Sequence, residues 1–187
     1  MLWAIPLGVA LGLVLRGTLD GLLGLGFRWA PLAVAGLVVQ LGLFTALGDE
    51  LAGSLGPAIY VLSTLAVFVA VARNWRLTGM PIVALGALAN LVAITANDGF
   101  MPADAGALAQ AGFGGPGDHT NSVVLAQPAL QPLTDIFAVP AGLPLANVFS
   151  VGDVLIGLGV VIVIVAAMRR GAVAADGSSG NGAPAGR

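Results

Sequence analysis

Residues 151–168 read VGDVLIGLGVVIVIVAAM, an apolar run whose one charged residue is Asp153. Its length falls within the roughly 17–25 residues that a helix needs to cross a bilayer with a hydrocarbon core of about 30 Å. Because lipid offers no hydrogen bonds to a backbone, such a run must be a helix or part of a closed barrel. The run lacks the alternation of polar and apolar residues that a barrel strand shows, so it predicts a transmembrane helix.

Four further apolar segments precede this one, at residues 1–15, 29–47, 55–72 and 80–96. The whole chain has 58% hydrophobic and 9% charged residues, whereas soluble domains carry about 25% charged residues. This composition excludes a soluble globular enzyme. The predicted fold is all-α, an integral membrane bundle in which residues 1–170 form five transmembrane helices.

The charges predict how this bundle is oriented. All seven basic residues are arginines, and a five-helix arrangement places all of them on one face of the membrane. They are Arg16, Arg28, Arg73, Arg76, Arg169, Arg170 and Arg187. The opposite face has acidic residues and no arginine. By the positive-inside rule, the N-terminus lies outside and the C-terminus lies in the cytoplasm.

The connection at residues 97–150 is much longer than the others, and loops of this length are usually functional or disordered. Its apolar residues, among them Phe113 and Leu133, favour order. We expect an ordered extracytoplasmic loop that caps the bundle, with a short helix near residues 104–111. Residues 171–187 are rich in Gly, Ala and Ser, so we expect a disordered cytoplasmic tail.

Two asparagines mark one face of the fourth predicted helix. Asn90 and Asn97 are two helical turns apart and therefore share a face. An amide in hydrocarbon needs a hydrogen-bond partner, so this face should point into the bundle, with Gln40 as the expected partner of Asn90. The face either packs against a neighbouring helix or lines a polar pocket that opens outside.

Polar residues at the outer ends of the fourth and fifth helices have ready structural explanations. Asn97, Asp98 and Gly99 are typical of a helix end, with Gly99 suited to a left-handed conformation. Ser150 and Asp153 have the spacing of a capping box at the start of the fifth helix. A carboxylate in the first turn also suits the helix dipole.

His119 is the one histidine, and it follows Asp118 in a glycine-rich part of the long connection. It is either solvated or paired with a carboxylate as a general base or metal ligand. No spacing supports a metal site, so we predict none, and no cofactor is indicated. We expect one polar cluster at the outer mouth of the fourth and fifth helices. Its predicted members are Asn90, Asn97, Asp98, His119, Asn121, Asp135, Asn147, Ser150 and Asp153.

Three motifs cluster on the predicted outer face: N-x-x-x-I-x-A-N-x-G-x-M-P from Asn90, H-x-N-S from His119 and N-V-F-S-x-G-D from Asn147. Together they resemble a bacterial family of small multi-pass membrane proteins of unknown function. The resemblance covers most of residues 1–170. It implies a multi-pass protein of the bacterial inner membrane, and it carries no activity.

Two classes of function fit these observations. The favoured one is a non-enzymatic subunit of a complex or a binding module that uses its extracytoplasmic cap. The alternative is a membrane-embedded enzyme or small-molecule transporter with a polar site at the outer mouth. An ion-coupled pump is disfavoured, because such pumps need charged groups in mid-membrane. The expected partners are the lipid bilayer and other membrane subunits, and no nucleic acid.

Overall fold

The computed structural model describes residues 3–113 and 122–179, and these residues are mostly helical. The helices are α1 (Ala4–Val14), α2 (Asp20–Leu23), α3 (Ala30–Leu43), α4 (Ala46–Ala52), α5 (Gly56–Arg73), α6 (Met80–Ala96), α7 (Ala105–Ala111) and α8 (Val151–Ser179). Single turns of 3₁₀-helix occur at Gly53–Leu55 and Gln131–Leu133. The strands are β1 (Met101–Pro102), which pairs in parallel with β2 (Ser122–Val123), and β3 (Phe137–Val139), which pairs antiparallel with β4 (Asn147–Phe149).

Each of the five predicted segments contains an apolar helix, but the helices differ in length. Among the described residues, two helical segments are long and apolar enough to cross a membrane, Glu50–Arg73 and Val151–Ala172. Helices α1, α3 and α6 are shorter, with 11, 14 and 17 residues. The prediction of five full-length spans is therefore wrong for these three helices.

The shortening has local causes in the backbone. Helix α1 stops because Arg16 takes a left-handed conformation with a φ of 61°. Helix α3 stops before Thr45, whose hydroxyl donates to the Gly42 carbonyl at 2.7 Å and accepts from the Gly48 N–H at 3.0 Å. These bonds turn the chain into α4, so the apolar run is divided between two helices.

Successive long apolar helices run in opposite directions, which gathers their ends into two groups. At one end, Phe44 packs edge-to-face on Tyr60 with ring centroids 4.9 Å apart. Tyr60 in turn shares a core with Ile94 and Met101. The end of α3, the start of α5 and the end of α6 therefore meet beneath β1.

The opposite group of ends holds the arginines of the described residues. The turn between α5 and α6 meets the start of α3 there, because Asn74 bonds the backbone of Arg28. The loop after α1 meets the end of α8, where the Thr18 N–H donates to the Met168 carbonyl at 3.0 Å. We call this group of helix ends the arginine end.

Residues 97–113 and 122–150 form a layer over the other end, and we call this layer the cap. Helix α7 packs on β3 and β4 through Leu108, Ala111 and Val148. The Asp104 carboxylate accepts from the Ala107 N–H at 2.9 Å and caps α7, which confirms the short helix predicted near residues 104–111. The cap rests on the bundle through Met101, which is almost fully buried.

Helix α8 continues to Ser179, beyond the predicted end at residue 168. The prediction of a disordered tail from residue 171 onward therefore disagrees with the structure over residues 171–179. Residues 171–176 read GAVAAD, and alanine has the highest helix propensity of all residues. Residues 180–187 lie outside the described residues.

Candidate ligand-binding cavity

The first turn of α8 is closed by a capping box, as its sequence predicts. The Asp153 N–H donates to the Ser150 hydroxyl oxygen at 3.0 Å, and the Ser150 N–H donates to Asp153 Oδ2 at 3.1 Å. Both bonds satisfy N–H groups that have no partner within the helix. Ser150 and Asp153 are therefore held rigidly where the cap joins α8.

Asn90 connects this capping box to α6. The Ser150 hydroxyl donates to Asn90 Oδ1 at 2.8 Å, and Asn90 Nδ2 donates to Asp153 Oδ1 at 3.1 Å. These two bonds join the side chains across the two helices, and the bond from the Asp153 backbone N–H to the Ser150 hydroxyl closes the ring. We call Asn90, Ser150 and Asp153 the polar triad.

Close packing of α6 on α8 makes these bonds possible. A Cβ atom at Gly152 would overlap Asn90 Oδ1, and one at Gly86 would overlap the Gly152 carbonyl oxygen. Two turns further along, a Cβ at Gly159 would lie 2.7 Å from the Val83 nitrogen. Glycines on both helices therefore bring the backbones close enough for short side chains to bridge them.

A cavity of about 390 Å³ lies beside the polar triad, between α3, α5, α6, α8 and the cap. Its polar walls come from Asn90, Asp153, Asp135 and Asn147 at the cap side, together with Gln40, Tyr60 and Thr64. Its apolar walls extend along the bundle to Val71, Val83 and Ile156. The volume falls in the range of roughly 300–1,000 Å³ that is typical of small-molecule pockets.

Gln40 faces this cavity but does not bond Asn90. Its Nε2 donates to the Thr64 hydroxyl at 3.2 Å, and that hydroxyl donates to the Tyr60 carbonyl at 2.8 Å. The predicted pairing of Gln40 with Asn90 is wrong because α3 packs against α5, where a Cβ at Gly36 would lie 2.7 Å from Val67 Cγ2. The nearest polar group to Gln40 is therefore on α5.

Asp135 brings a second carboxylate to the cavity from the cap. Its backbone is fixed on both sides, since its N–H donates to the Pro102 carbonyl at 2.9 Å and its carbonyl accepts from the Asp104 N–H at 3.0 Å. The residue is 3% exposed. The long connection therefore folds back so that a buried carboxylate reaches the same cavity as Asp153.

A family described as being of unknown function, DUF5317, matches residues 24–165. The chain belongs to DUF5317. The matched residues include every residue that lines the cavity. No curated protein and no solved structure matches the chain.

Within this DUF5317 protein, the predicted polar cluster is divided by the structure. Asn90, Asp135, Asn147 and Asp153 line the cavity, and Ser150 is fully buried behind Asn90. His119 and Asn121 lie outside the described residues.

Asn97 and Asp98 do not line the cavity. Asn97 is buried, and its Nδ2 donates to the Ala93 carbonyl at 2.8 Å and to the Ala129 carbonyl at 3.0 Å, while its Oδ1 accepts from the Ala129 N–H at 2.8 Å. It therefore ties the cap to the end of α6.

Asp98 is exposed and takes the left-handed conformation with a φ of 56°. The Gly99 N–H reaches back to the Ile94 carbonyl at 2.9 Å, so α6 ends in a Schellman motif whose left-handed residue is Asp98. The sequence pattern predicts Gly99 as the left-handed residue at this helix end, whereas the structure has Asp98 there. Gly99 also has positive φ, and a Cβ there would lie 2.6 Å from Pro57.

Two cavity residues, Tyr60 and Thr64, were missed by sequence reasoning. They lie one turn apart on α5, a helix with few polar residues, and this spacing is the signal that could have found them. The structural role of Asn74 was also missed. The residue is 4% exposed in the structure. It repeats the bonding of Asn97: its amide bonds the Ala70 carbonyl and both backbone groups of Arg28, each at 2.7 Å.

In the described part of the chain, no group of three or more His, Asp or Glu side chains is placed to hold a metal ion. The absence of a metal site stays a prediction, because His119 lies outside those residues. Chemically, the cavity offers two carboxylates and several amide oxygens at one end and an apolar wall at the other.

Proposed function

We propose that this DUF5317 protein is a multi-pass protein of the bacterial inner membrane that binds a small cationic ligand in the cavity beneath its cap. The observation that carries the proposal is the presence of two carboxylates, Asp135 and Asp153, in the walls of one cavity. This is the binding-module form of the function that the sequence favours.

The membrane setting is supported by the alternating helix directions and the arginine end. Helices of 14 and 17 residues have lengths of about 21 and 26 Å at 1.5 Å per residue. Such lengths are accommodated when the bilayer thins locally around the protein. With the arginine end in the cytoplasm, the cap and the N-terminus lie outside.

Reporter fusions test this arrangement. Fusions after Arg76 and after Arg170 should report the cytoplasm, and a fusion between Gly112 and Phe113 should report the outside. A cytoplasmic signal from the fusion in the cap would refute the proposed orientation. It would leave the ligand proposal standing, because the cavity does not depend on which face is outside.

The chemistry of the walls selects the ligand class. Carboxylates and amide oxygens accept hydrogen bonds, and none of the described residues that line the cavity is basic. A buried carboxylate is stabilised by a cation or by several hydrogen-bond donors. A ligand with a positively charged, hydrogen-bonding head therefore complements the end near Asp135 and Asp153.

The apolar part of the cavity selects the rest of the ligand. Val67, Val71 and Ile156 line the portion away from the cap, so a short hydrocarbon body would be desolvated there. Val71, Met80 and Val163 pack together between this portion and the arginine end. This packing favours a binding role over a transporter, which would need a path to the arginine end.

The test uses hexylammonium as a probe, with hexan-1-ol and hexanoate as neutral and anionic probes of similar size. Each is titrated into the purified protein in lipid nanodiscs by calorimetry. We expect hexylammonium to bind with one-to-one stoichiometry and to bind at least tenfold more tightly than the other two. That factor follows from the roughly 1.5–3 kcal/mol that a hydrogen bond to a charged group contributes.

Matched variants connect binding to the cavity. Asp153→Asn should raise the Kd for hexylammonium about tenfold or more, whereas Asp98→Asn removes the same charge from an exposed position and should leave it unchanged. Ala87→Leu fills the cavity and should abolish binding even where the charge is intact. Equal binding of hexanoate, or equal effects of the two Asp variants, would refute the proposal.

An enzyme or transporter remains the alternative function for the same residues. It predicts that a bound ligand is chemically changed or appears on the far side of a sealed vesicle. Analysis of hexylammonium by mass spectrometry after incubation with proteoliposomes distinguishes these outcomes from simple binding.

A further inference from the structure

A second pocket, of about 220 Å³, lies at the arginine end and shares no lining residue with the cavity beneath the cap. Three arginines line it, Arg28, Arg73 and Arg76, together with Asn74 and Trp75. Arg28 precedes α3, Arg73 is the last residue of α5, and Arg76 lies in the turn between α5 and α6. The fold thus brings together three positive charges from two distant parts of the chain.

Asn74 is the residue that builds this pocket. Its Oδ1 accepts from the Arg28 N–H and its Nδ2 donates to the Arg28 carbonyl, both at 2.7 Å. A third bond, to the Ala70 carbonyl, anchors the amide to its own helix. The backbone of Arg28 is therefore fixed beside Arg73 and Arg76, so the three arginine side chains start from fixed backbone positions.

Few acidic residues lie near the three arginines in sequence. Residues 21–30 and 71–80, which contain these arginines, have no Asp or Glu, and the nearest acidic residue in sequence is Asp20. The guanidinium groups are on exposed residues. Three adjacent like charges repel one another, so an anion that bridges them would be stabilised.

The position of the pocket indicates where the anion comes from. Trp75 lines the pocket and Trp29 follows Arg28 in the chain, and these side chains are 62% and 52% exposed. Tryptophan side chains concentrate at the level of the lipid headgroups, where one part of the indole is in hydrocarbon and the other in water. A guanidinium group binds phosphate oxygens through two parallel N–H bonds.

We propose that Arg28, Arg73 and Arg76 form a binding site for a phosphate group at the membrane surface. The phosphate belongs to the headgroup of an anionic lipid, and free phosphate has the same recognition chemistry. The lipid source rests on the proposed membrane location of the protein. The phosphate chemistry does not, and the experiment separates the two.

The experiment measures thermal stability and native mass spectra of the full chain purified in a neutral detergent. Phosphatidylglycerol, phosphatidylcholine and inorganic phosphate are titrated separately, with chloride at equal ionic strength as the salt control. Stabilisation by phosphatidylglycerol but not phosphatidylcholine supports a lipid headgroup. Stabilisation by inorganic phosphate alone supports a free phosphate site. Stabilisation by neither overturns the proposal.

Charge-matched variants test the site itself. Arg73→Gln should weaken phosphatidylglycerol binding by about tenfold or more, because charge-assisted hydrogen bonds are lost. Arg73→Lys keeps the charge but loses the paired N–H geometry, and it should also weaken binding. Arg169→Gln removes an exposed charge from the same end outside the pocket and should cost about fivefold at most.

All three variants change exposed side chains, so their thermal midpoints without ligand should equal that of the wild type. This check separates a binding defect from a folding defect. If Arg169→Gln weakens binding as much as Arg73→Gln does, the attraction is a general surface charge and the site does not exist. Failure of the cationic-probe experiment would leave this result unaffected, because the two pockets share no residue.

Discussion

Replacing Gly152 by alanine should destabilise the protein, whereas the same replacement at Gly42 should stabilise it. Both glycines lie in helices. A Cβ at Gly152 would overlap Asn90 Oδ1 and would lie 2.8 Å from the Gly86 carbonyl oxygen. A Cβ at Gly42 would have no heavy atom within 4 Å. The two substitutions are chemically identical and differ only in what surrounds them.

The size of the effect follows from three contributions. Overpacking a tight interface costs about 1–3 kcal/mol. Displacing Asn90 also weakens its two hydrogen bonds, each worth about 0.5–1.5 kcal/mol net. Alanine in place of glycine in a helix returns roughly 0.5–1 kcal/mol. Gly152→Ala should therefore cost about 2–4 kcal/mol, and Gly42→Ala should gain about 0.5–1 kcal/mol.

Thermal unfolding followed by tryptophan fluorescence measures both variants in one detergent. A change of 1 kcal/mol shifts the Tm by about 2–4 °C for a chain of 150–250 residues. Gly152→Ala should lower the Tm by roughly 4–16 °C, and Gly42→Ala should raise it by about 1–4 °C. Adding Asn90→Ala to Gly152→Ala should restore part of the loss, because one of the two overlapping groups is removed. Equal shifts of the same sign would show that α6 and α8 do not approach closely at this point.

Three further predictions concern the cap and the helix ends, and unfolding of the purified protein measures each of them. Asn97→Asp replaces the amide donor by a carboxylate and should cost about 2–4 kcal/mol because two buried carbonyls lose their donor. The control is Gln127→Glu, which makes the same change at an exposed residue outside the cavity and should change stability by less than about 0.5 kcal/mol. Asp98→Gly should stabilise the protein by up to about 1 kcal/mol, since glycine takes positive φ without strain, and any destabilisation would contradict the Schellman end of α6. Ser150→Ala should cost about 1–2 kcal/mol, and in an Asn90→Ala background the cost should fall, because the bond between the two is already absent; an unchanged cost would show that they do not interact.

The positions of the helices could be predicted because apolar runs are long and their ends carry specific chemistry. Helix α6 occupies the predicted residues 80–96, where glycine precedes the start and a left-handed residue follows the end. The start of α8 was predictable from Ser150 and Asp153, since a capping box is local in sequence. Hydropathy could not predict where α3 stops, because that depends on bonds from a single hydroxyl, that of Thr45.

The convergence of Asn90, Ser150 and Asp153 could be anticipated because Asn90 shares a face of α6 with Asn97 and consecutive apolar helices bring that face to the start of α8. The partner of Gln40 could not, because the rotation of α3 about its axis depends on packing against α5. The bond between Asn97 and the backbone of Ala129 was equally inaccessible, since it depends on the path of an irregular loop. Local patterns therefore identified the polar groups, and long-range packing determined their partners.

The polar triad also has a consequence for the order of events during synthesis. Asn90 and Asp153 are separated by 63 positions in the chain, and a ribosome adding about 5–20 residues per second needs roughly 3–13 s to make that segment. During this interval α6 exists without the helix that supplies both of its partners, and its glycine face has no neighbour. The amide of Asn90 is then a polar group without its final bonds until Ser150 and Asp153 have been made. The whole cap must also be made before α8 can dock, so the cavity is enclosed in the same step that completes the bundle.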